Sequence, residues 1–215
     1  MDTASKILLL DGATGTELDR RGVSVDLPGW SAGAILDAPD VLSAIHREYL
    51  EAGARAITAN TFRTHRRSLQ KAGLEDPDRL TRRAVELARE ACLSINPQAL
   101  VLGSVAPLED CYSPELSPPD PGPEHRELAE VLAGAGVDLL LCETFPHVGE
   151  GLAAVEACVA TGVETWASFT AGPRADLLTP AEVGRGARQA VDLGASAVLV
   201  NCIPAQHTLA FVRAL

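Results

Sequence analysis

The chain has 215 residues, 47% of them hydrophobic and only 4% aromatic, with a net charge of −11 and a pI near 4.9. That is apolar content for one sizeable core, so a single domain over 1–215 is expected. The acidic balance argues against nucleic acid as a partner. The absence of any apolar run near the ~20 residues of a membrane helix argues against a membrane. The N-terminal "MDTASK" lacks a basic region and apolar signal core, and five cysteines (92, 111, 142, 158, 202) form no CxxC pair, so reduced thiols in a cytoplasmic protein are expected.

The first element is "KILLL", a strand predicted over 6–10 that runs into Asp11 and the turn Gly12-Ala13-Thr14-Gly15. A helix then starts at Pro39 and Asp40, with Val41, Leu42, Ile45 and Tyr49 at helical spacing. A strand over 55–60 ends on Asn60, and an amphipathic helix over 78–95 leads to a strand over 100–105. Segment 107–123 carries six prolines and reads as a long loop, the kind that serves as a lid. Further strands are predicted over 138–142, 165–170 and 196–201, with a helix over 179–194 between the last two and a helical pattern, "AQHTLAFVRAL", after them.

One pattern recurs in "YLEAGARAITAN", "VLAGAGVDLLLCE" and "AVDLGASAVLVNC". A helix closes on Gly53, Gly136 or Gly194, where a left-handed conformation suits glycine, and a short apolar strand follows. Each strand ends on a polar residue: Asn60, Glu143, and Asn201 with Cys202. Helix–strand alternation with unalternating apolar strands points to a parallel α/β sheet covered by helices. The first turn has no third glycine in register and no Walker lysine, which argues against a dinucleotide or P-loop site. Polar residues at the ends of the first, second, fourth and sixth strands instead fit a (β/α)8 barrel, whose strand ends share one mouth. By this count the chain supplies the first six βα units and lacks the last two.

The motifs "LLLDGATGTEL", "HREYLEAGARAITANTF", "LLLCETF" and "VLVNC", in that order, resemble the homocysteine S-methyltransferase family, zinc-dependent TIM barrels. The resemblance implies methyl transfer from a small donor to the sulfur of homocysteine, giving methionine. It implies that Asp11 and the amides of Gly12, Ala13 and Thr14 hold the amino-acid end of homocysteine and that Glu143 binds its ammonium. Trp30 resembles an aromatic of the substrate loop, Asn60 and Phe62 line the mouth, and Asn201 joins the substrate site. Cys202 would be a zinc thiolate. The family's two further zinc cysteines, in a late Gly-Gly-Cys-Cys motif, have no counterpart here, so the zinc site is incomplete in this chain. His207, five residues after Cys202, is the one nearby substitute ligand. The rival expectations are a non-catalytic amino-acid-binding or interaction remnant, and a methyltransferase acting on another thiol or selenol.

Other residues have plainer expectations. Cys142 should point away from the neighbouring Glu143, since strand side chains alternate. Asp11 could instead cap its turn, and Asn60 could bond neighbouring backbone. His46, His65, His125 and the arginines at 63, 66 and 67 are expected to be solvated. A barrel stopping at its sixth strand leaves apolar edges, which predicts self-association across the gap or a segment supplied by another chain.

Overall fold

The computed structural model describes residues 7–26 and 29–215. Residue 6 of the first expected strand, and residues 1–5 and 27–28 of the expected domain, lie outside it. In chain order the elements are α1 (Thr14–Arg20), a 3-10 turn (Trp30–Gly33), α2 (Ala34–Asp37), α3 (Pro39–Glu51) and β1 (Ala56–Ala59). Then come α4 (Arg66–Lys71), α5 (Pro77–Ile95), β2 (Leu100–Val105), a 3-10 turn (Pro114–Leu116), α6 (Gly122–Gly134) and β3 (Leu139–Phe145). The series closes with α7 (Val148–Val159), β4 (Thr165–Phe169), α8 (Pro180–Asp192), β5 (Ala197–Val200) and α9 (Ala205–Val212).

The five strands pair side by side in sequence order, every pair parallel. Each connection carries at least one helix, the arrangement of consecutive units in a (β/α) barrel. The predicted strand over 6–10 is corrected. Over its described residues it is a single parallel bridge, Leu10 to Ala56, flanked by bonds from Arg55 N to Leu9 O and from Asp11 N to Ala56 O.

The helix ends follow local chemistry. Thr179 and Glu182 form a capping box at the start of α8, with Pro180 at the first helical position. Gly53 and Gly194 take φ of 106° and 112° just past α3 and α8, where an L side chain would be strained.

Side-chain alternation along the strands builds two environments. Ile57, Val101, Leu140, Cys142, Ala167 and Phe169 face the helices and form the main core. On the opposite face Ala56, Leu102 and Leu141 pack with the half-buried Trp166 and Leu199. One step further along each strand, on that same inner face, the residues turn polar: Thr58, Ser104, Glu143, Ser168 and then Asn201. Beside the first and last strands the packing is open. All of β5 is half-buried, and Ile7, Leu9, Leu209 and Val212 are exposed.

Four expectations of solvated residues are overturned. His46, His65 and His125 are buried, because each falls on the inner side of a helix or helix start. Arg63 is buried as well, beneath the loop after β2.

Candidate active site

A cavity of about 690 Å³ opens at the carboxyl ends of the strands. Its floor is the polar layer just described. Its walls come from the 11–16 turn, Trp30, Phe62, Arg63 and the loop residues Asp110, Cys111 and Tyr112. Every site residue expected from sequence reaches this one cavity: Asp11, Gly12, Ala13, Thr14, Trp30, Asn60, Phe62, Glu143, Asn201 and Cys202.

Glu143 stands at the centre of the floor. It accepts from Ser104 Oγ at 2.5 Å and from Asn201 Nδ2 at 3.1 Å. Burial pushes its carboxyl up to about 7, with a further push from the Asp11 charge, while the Ser104 bond pulls the other way. Cys142 points to the opposite face, as alternation requires, with its sulfur 3.5 Å from that of Cys158. Asp11 reaches across to β1, where it accepts from Thr58 N at 2.8 Å and Thr58 Oγ1 at 2.9 Å. Its carboxyl is raised to about 6 by burial, against those bonds. Asp11 therefore ties the 11–16 turn to the sheet and does not cap the turn.

Asn201 is a hub. Its Oδ1 accepts from Thr144 N at 3.1 Å and Ser168 Oγ at 2.9 Å, and its Nδ2 donates to Thr144 Oγ1 at 2.7 Å as well as to Glu143. The network holds two residues in left-handed backbone, Thr144 at φ 64° and Cys202 at φ 52°. Such conformations cost non-glycine residues roughly 1–3 kcal/mol each and need surrounding structure to sustain them. A break in register between Cys142 and Phe145 accompanies the turn at Thr144. Thr144 Oγ1 lies 3.7 Å from Cys202 Sγ.

Asn60 is spent on a strut: Ser31 Oγ donates to its Oδ1 and its Nδ2 donates to Ser31 O, both at 2.7 Å. This holds the 3-10 turn whose first residue, Trp30, meets Phe62 edge-on with centroids 5.3 Å apart. Gly15 explains part of the glycine-rich turn, since a Cβ there would fall 2.6 Å from the Trp30 ring. The sequence reading missed Thr58, Ser104 and Ser168, although each occupies the same strand-end position as Glu143. It also missed Cys111 and Tyr112, which only the path of the long loop brings over the floor. Burial pushes the Cys111 thiol up to about 11.

The sequence profile of homocysteine S-methyltransferases matches residues 8–215. The chain belongs to the homocysteine S-methyltransferase family. It is 34% identical to the homocysteine S-methyltransferase of Escherichia coli, over 96% of this chain and 73% of that protein. It is 31% identical to betaine–homocysteine S-methyltransferase 1 of Sus scrofa, over 93% of this chain and 72% of that one. Against homocysteine S-methyltransferase 4 of Zea mays it is 30% identical and spans 55% of the relative's length. In structure it resembles the metallated form of the Escherichia coli homocysteine methyltransferase MmuM, with a TM-score of 0.85, 31% identity, and coverage of 97% of this chain and 79% of that one. The fold is thus part of a TIM barrel of this methyltransferase family.

A catalytic zinc needs three protein ligands and an open position. Among the described residues no three His, Cys, Asp or Glu side chains are gathered to hold a metal. Cys202 has Thr144 and Asn201 beside its sulfur, and His207 is exposed on α9, outside the cavity lining. The donor set of the described residues does not complete a zinc site.

Proposed function

We propose that the chain transfers a methyl group from a small cationic donor to the sulfur of homocysteine, giving methionine. The observation that carries this reading is the floor of the cavity, where one carboxyl of raised pKa and one exposed thiol are linked through a single asparagine. Family membership supports the same reaction. The homocysteine ammonium would sit on Glu143, which then ionises, with Asp11 as a second nearby carboxylate and the Gly12–Thr14 turn beside it. Asn201 and Ser104 hold Glu143 in place for that contact. The substrate sulfur would extend toward Cys202. A new S–CH3 bond forms as the donor's bond to the methyl carbon breaks. The donor keeps that electron pair and becomes neutral, and the thiol proton leaves to solvent.

Only the thiolate attacks a methyl carbon well, and zinc, where bound, would favour it. In this chain Cys202 is the one described residue that the family resemblance makes a zinc ligand, so no step is derived through the metal. A second reading is an amino-acid-binding member without turnover. Five unpaired cysteines support a cytoplasmic location. The exposed apolar residues beside the first and last strands support self-association there, which light scattering over a range of concentrations would detect.

The test is incubation with homocysteine and S-methylmethionine, S-adenosylmethionine or betaine, with and without added zinc. Methionine formed with one of them supports transfer. Folded protein that binds homocysteine and makes no methionine with any donor supports the second reading. Competition by other thiols and selenols would establish acceptor preference.

A further inference from the structure

Glu150 is a buried carboxylate that the proposed reaction does not use. It lies in the first turn of α7, is only 2% exposed and does not line the cavity. Its Oε1 accepts from Leu108 N at 2.8 Å and lies 3.4 Å from Nε2 of His125, which is fully buried on α6. Burial pushes the carboxyl up, yet His125 and the Leu108 amide outweigh it and hold Glu150 below its ordinary value. An ionised acceptor makes a stronger hydrogen bond than a neutral one, and its removal would leave a buried amide unpaired.

Leu108 is the middle of a clamp on the start of the long loop. Arg63 Nη1 donates to the carbonyls on either side, Pro107 O at 3.2 Å and Glu109 O at 2.7 Å. The Glu109 carboxylate accepts from Arg67 Nη1 at 3.0 Å and from Lys71, pairs that are partly exposed and hold less. The Leu108 side chain is itself buried. The chain then turns at once. The Asp110 carboxylate accepts from Tyr112 N at 3.1 Å and Ser113 Oγ at 2.9 Å, and Ser113 N donates back to Asp110 O. That turn presents Cys111 and Tyr112 to the cavity. The placement of Leu108 is thus carried to both residues with little freedom between.

We propose that Glu150 is a positioning residue for the cavity: through its hydrogen bond to Leu108 N it fixes the 107–113 segment as a standing wall, with Cys111 and Tyr112 toward the ligand, in place of a lid that opens. This rests on the proposed function for the identity of the ligand, and the test reads the wall separately from the ligand.

Cys92, Cys142 and Cys158 are buried, so in a Cys202→Ser background Cys111 is the thiol open to labelling by dithiodipyridine. Burial holds that thiol at about 11, and it should label slowly. Released from the wall it returns toward its ordinary 9.0. The thiolate fraction then rises about 100-fold and the lower nucleophilicity takes back about 10-fold, so Glu150→Leu should label about 10-fold faster. Glu150→Gln keeps an acceptor for the Leu108 amide and should stay within about 3-fold of the parent. Val155→Ala hollows the core beside the same helix without touching the loop, and should leave Cys111 at the parental rate. Glu150→Ala, expected to behave as the leucine variant, decides if that variant does not fold. Labelling at the parental rate in Glu150→Leu overturns the proposal. So does an equal rise in Glu150→Gln or Val155→Ala, or a rise in which the three buried thiols react together with Cys111, which would make unfolding the cause. A wall that depends on Glu150 in this way, in a protein that methionine neither binds nor protects from labelling, would refute the amino-acid reading and leave the positioning role standing.

Discussion

Replacing Glu143 by Gln should stabilise the protein at alkaline pH while weakening it as a binder. The carboxyl is raised from 4.5 to about 7 in the fold, so the native state holds a proton through that window that the unfolded chain has released. Stability contributed by the group is therefore present below about pH 4.5 and falls as the pH rises through 7. At about 1.4 kcal/mol per unit the full loss is about 3 kcal/mol. One face of the carboxyl meets the solvent-accessible cavity, and screening there trims the expected effect to roughly 1–2 kcal/mol. Glutamine fits the same partners. Its oxygen accepts from Asn201 Nδ2, and its amide donates to Ser104 Oγ once that hydroxyl rotates. Urea unfolding of both proteins at pH 4.5 and pH 8 reads the effect, because His46 and His65 titrate alike in each and the loss of Asp11–Glu143 repulsion in the variant acts in the same direction. The variant should match the wild type at pH 4.5, exceed it at pH 8, and bind homocysteine about 10- to 100-fold more weakly. Equal differences at the two pH values, or a variant less stable at pH 8, would refute the assignment of a buried, strained charge to Glu143.

The remaining predictions are local. His46 is fully buried with no hydrogen-bond partner on either ring nitrogen, and burial lowers it from 6.5 to about 4. The unfolded chain then takes up the proton first as the pH falls from 6.5 to 4, so His46→Leu should gain about 2 kcal/mol more at pH 5 than at pH 7.5 in denaturant unfolding. Gly15→Ala should cost about 1–3 kcal/mol and shift the Trp30 fluorescence, because the added methyl meets the indole. Asn201→Ala should cost about 1–3 kcal/mol in thermal or denaturant unfolding by leaving the buried Thr144 N–H without its acceptor. Asn201→Asp should be worse at pH 8 than at pH 5, since it sets a second carboxylate against Glu143.

The strands were legible because each run is short and apolar, and three of them are bracketed by a glycine turn and a polar end. Four of the five strands fall within a residue or two of where the apolar runs place them, and β3 runs on through Glu143 to Phe145. The first run, "ILLL", has the composition of the others, yet over its described residues it meets β1 at a single bridge. The carboxylates were legible for a related reason. A charge at the end of a buried strand has few places to go except a shared mouth. What stayed hidden was what each polar group spends its bonds on. Asn60 and Asn201 read alike in sequence, yet one braces the Trp30 turn and the other braces Glu143 and Thr144. The histidines misled because one polar residue in a helix does not reveal which face it occupies. His46 lies on the packed side of α3 with Leu42 and Ile45, away from the exposed Arg47 and Glu48.

The distribution of polarity around the cavity also separates recognition from chemistry. Thr58, Ser104, Glu143 and Ser168 sit on strands with described neighbours on both sides, so their positions follow from the sheet register. Cys202 follows the last of the described strands, in left-handed backbone, with only Thr144, Asn201 and the Tyr112 loop around its sulfur. The carboxyl that would recognise the amino-acid end is thus fixed by the interior of the sheet, and the thiol that would lie nearest the reacting sulfur follows the last described strand. Asn201 joins the two through Thr144 and Glu143, so a displacement at the flank is transmitted to the floor through hydrogen bonds of defined length. A change beside Cys202 therefore bears first on that side of the cavity, and on the floor only through Asn201.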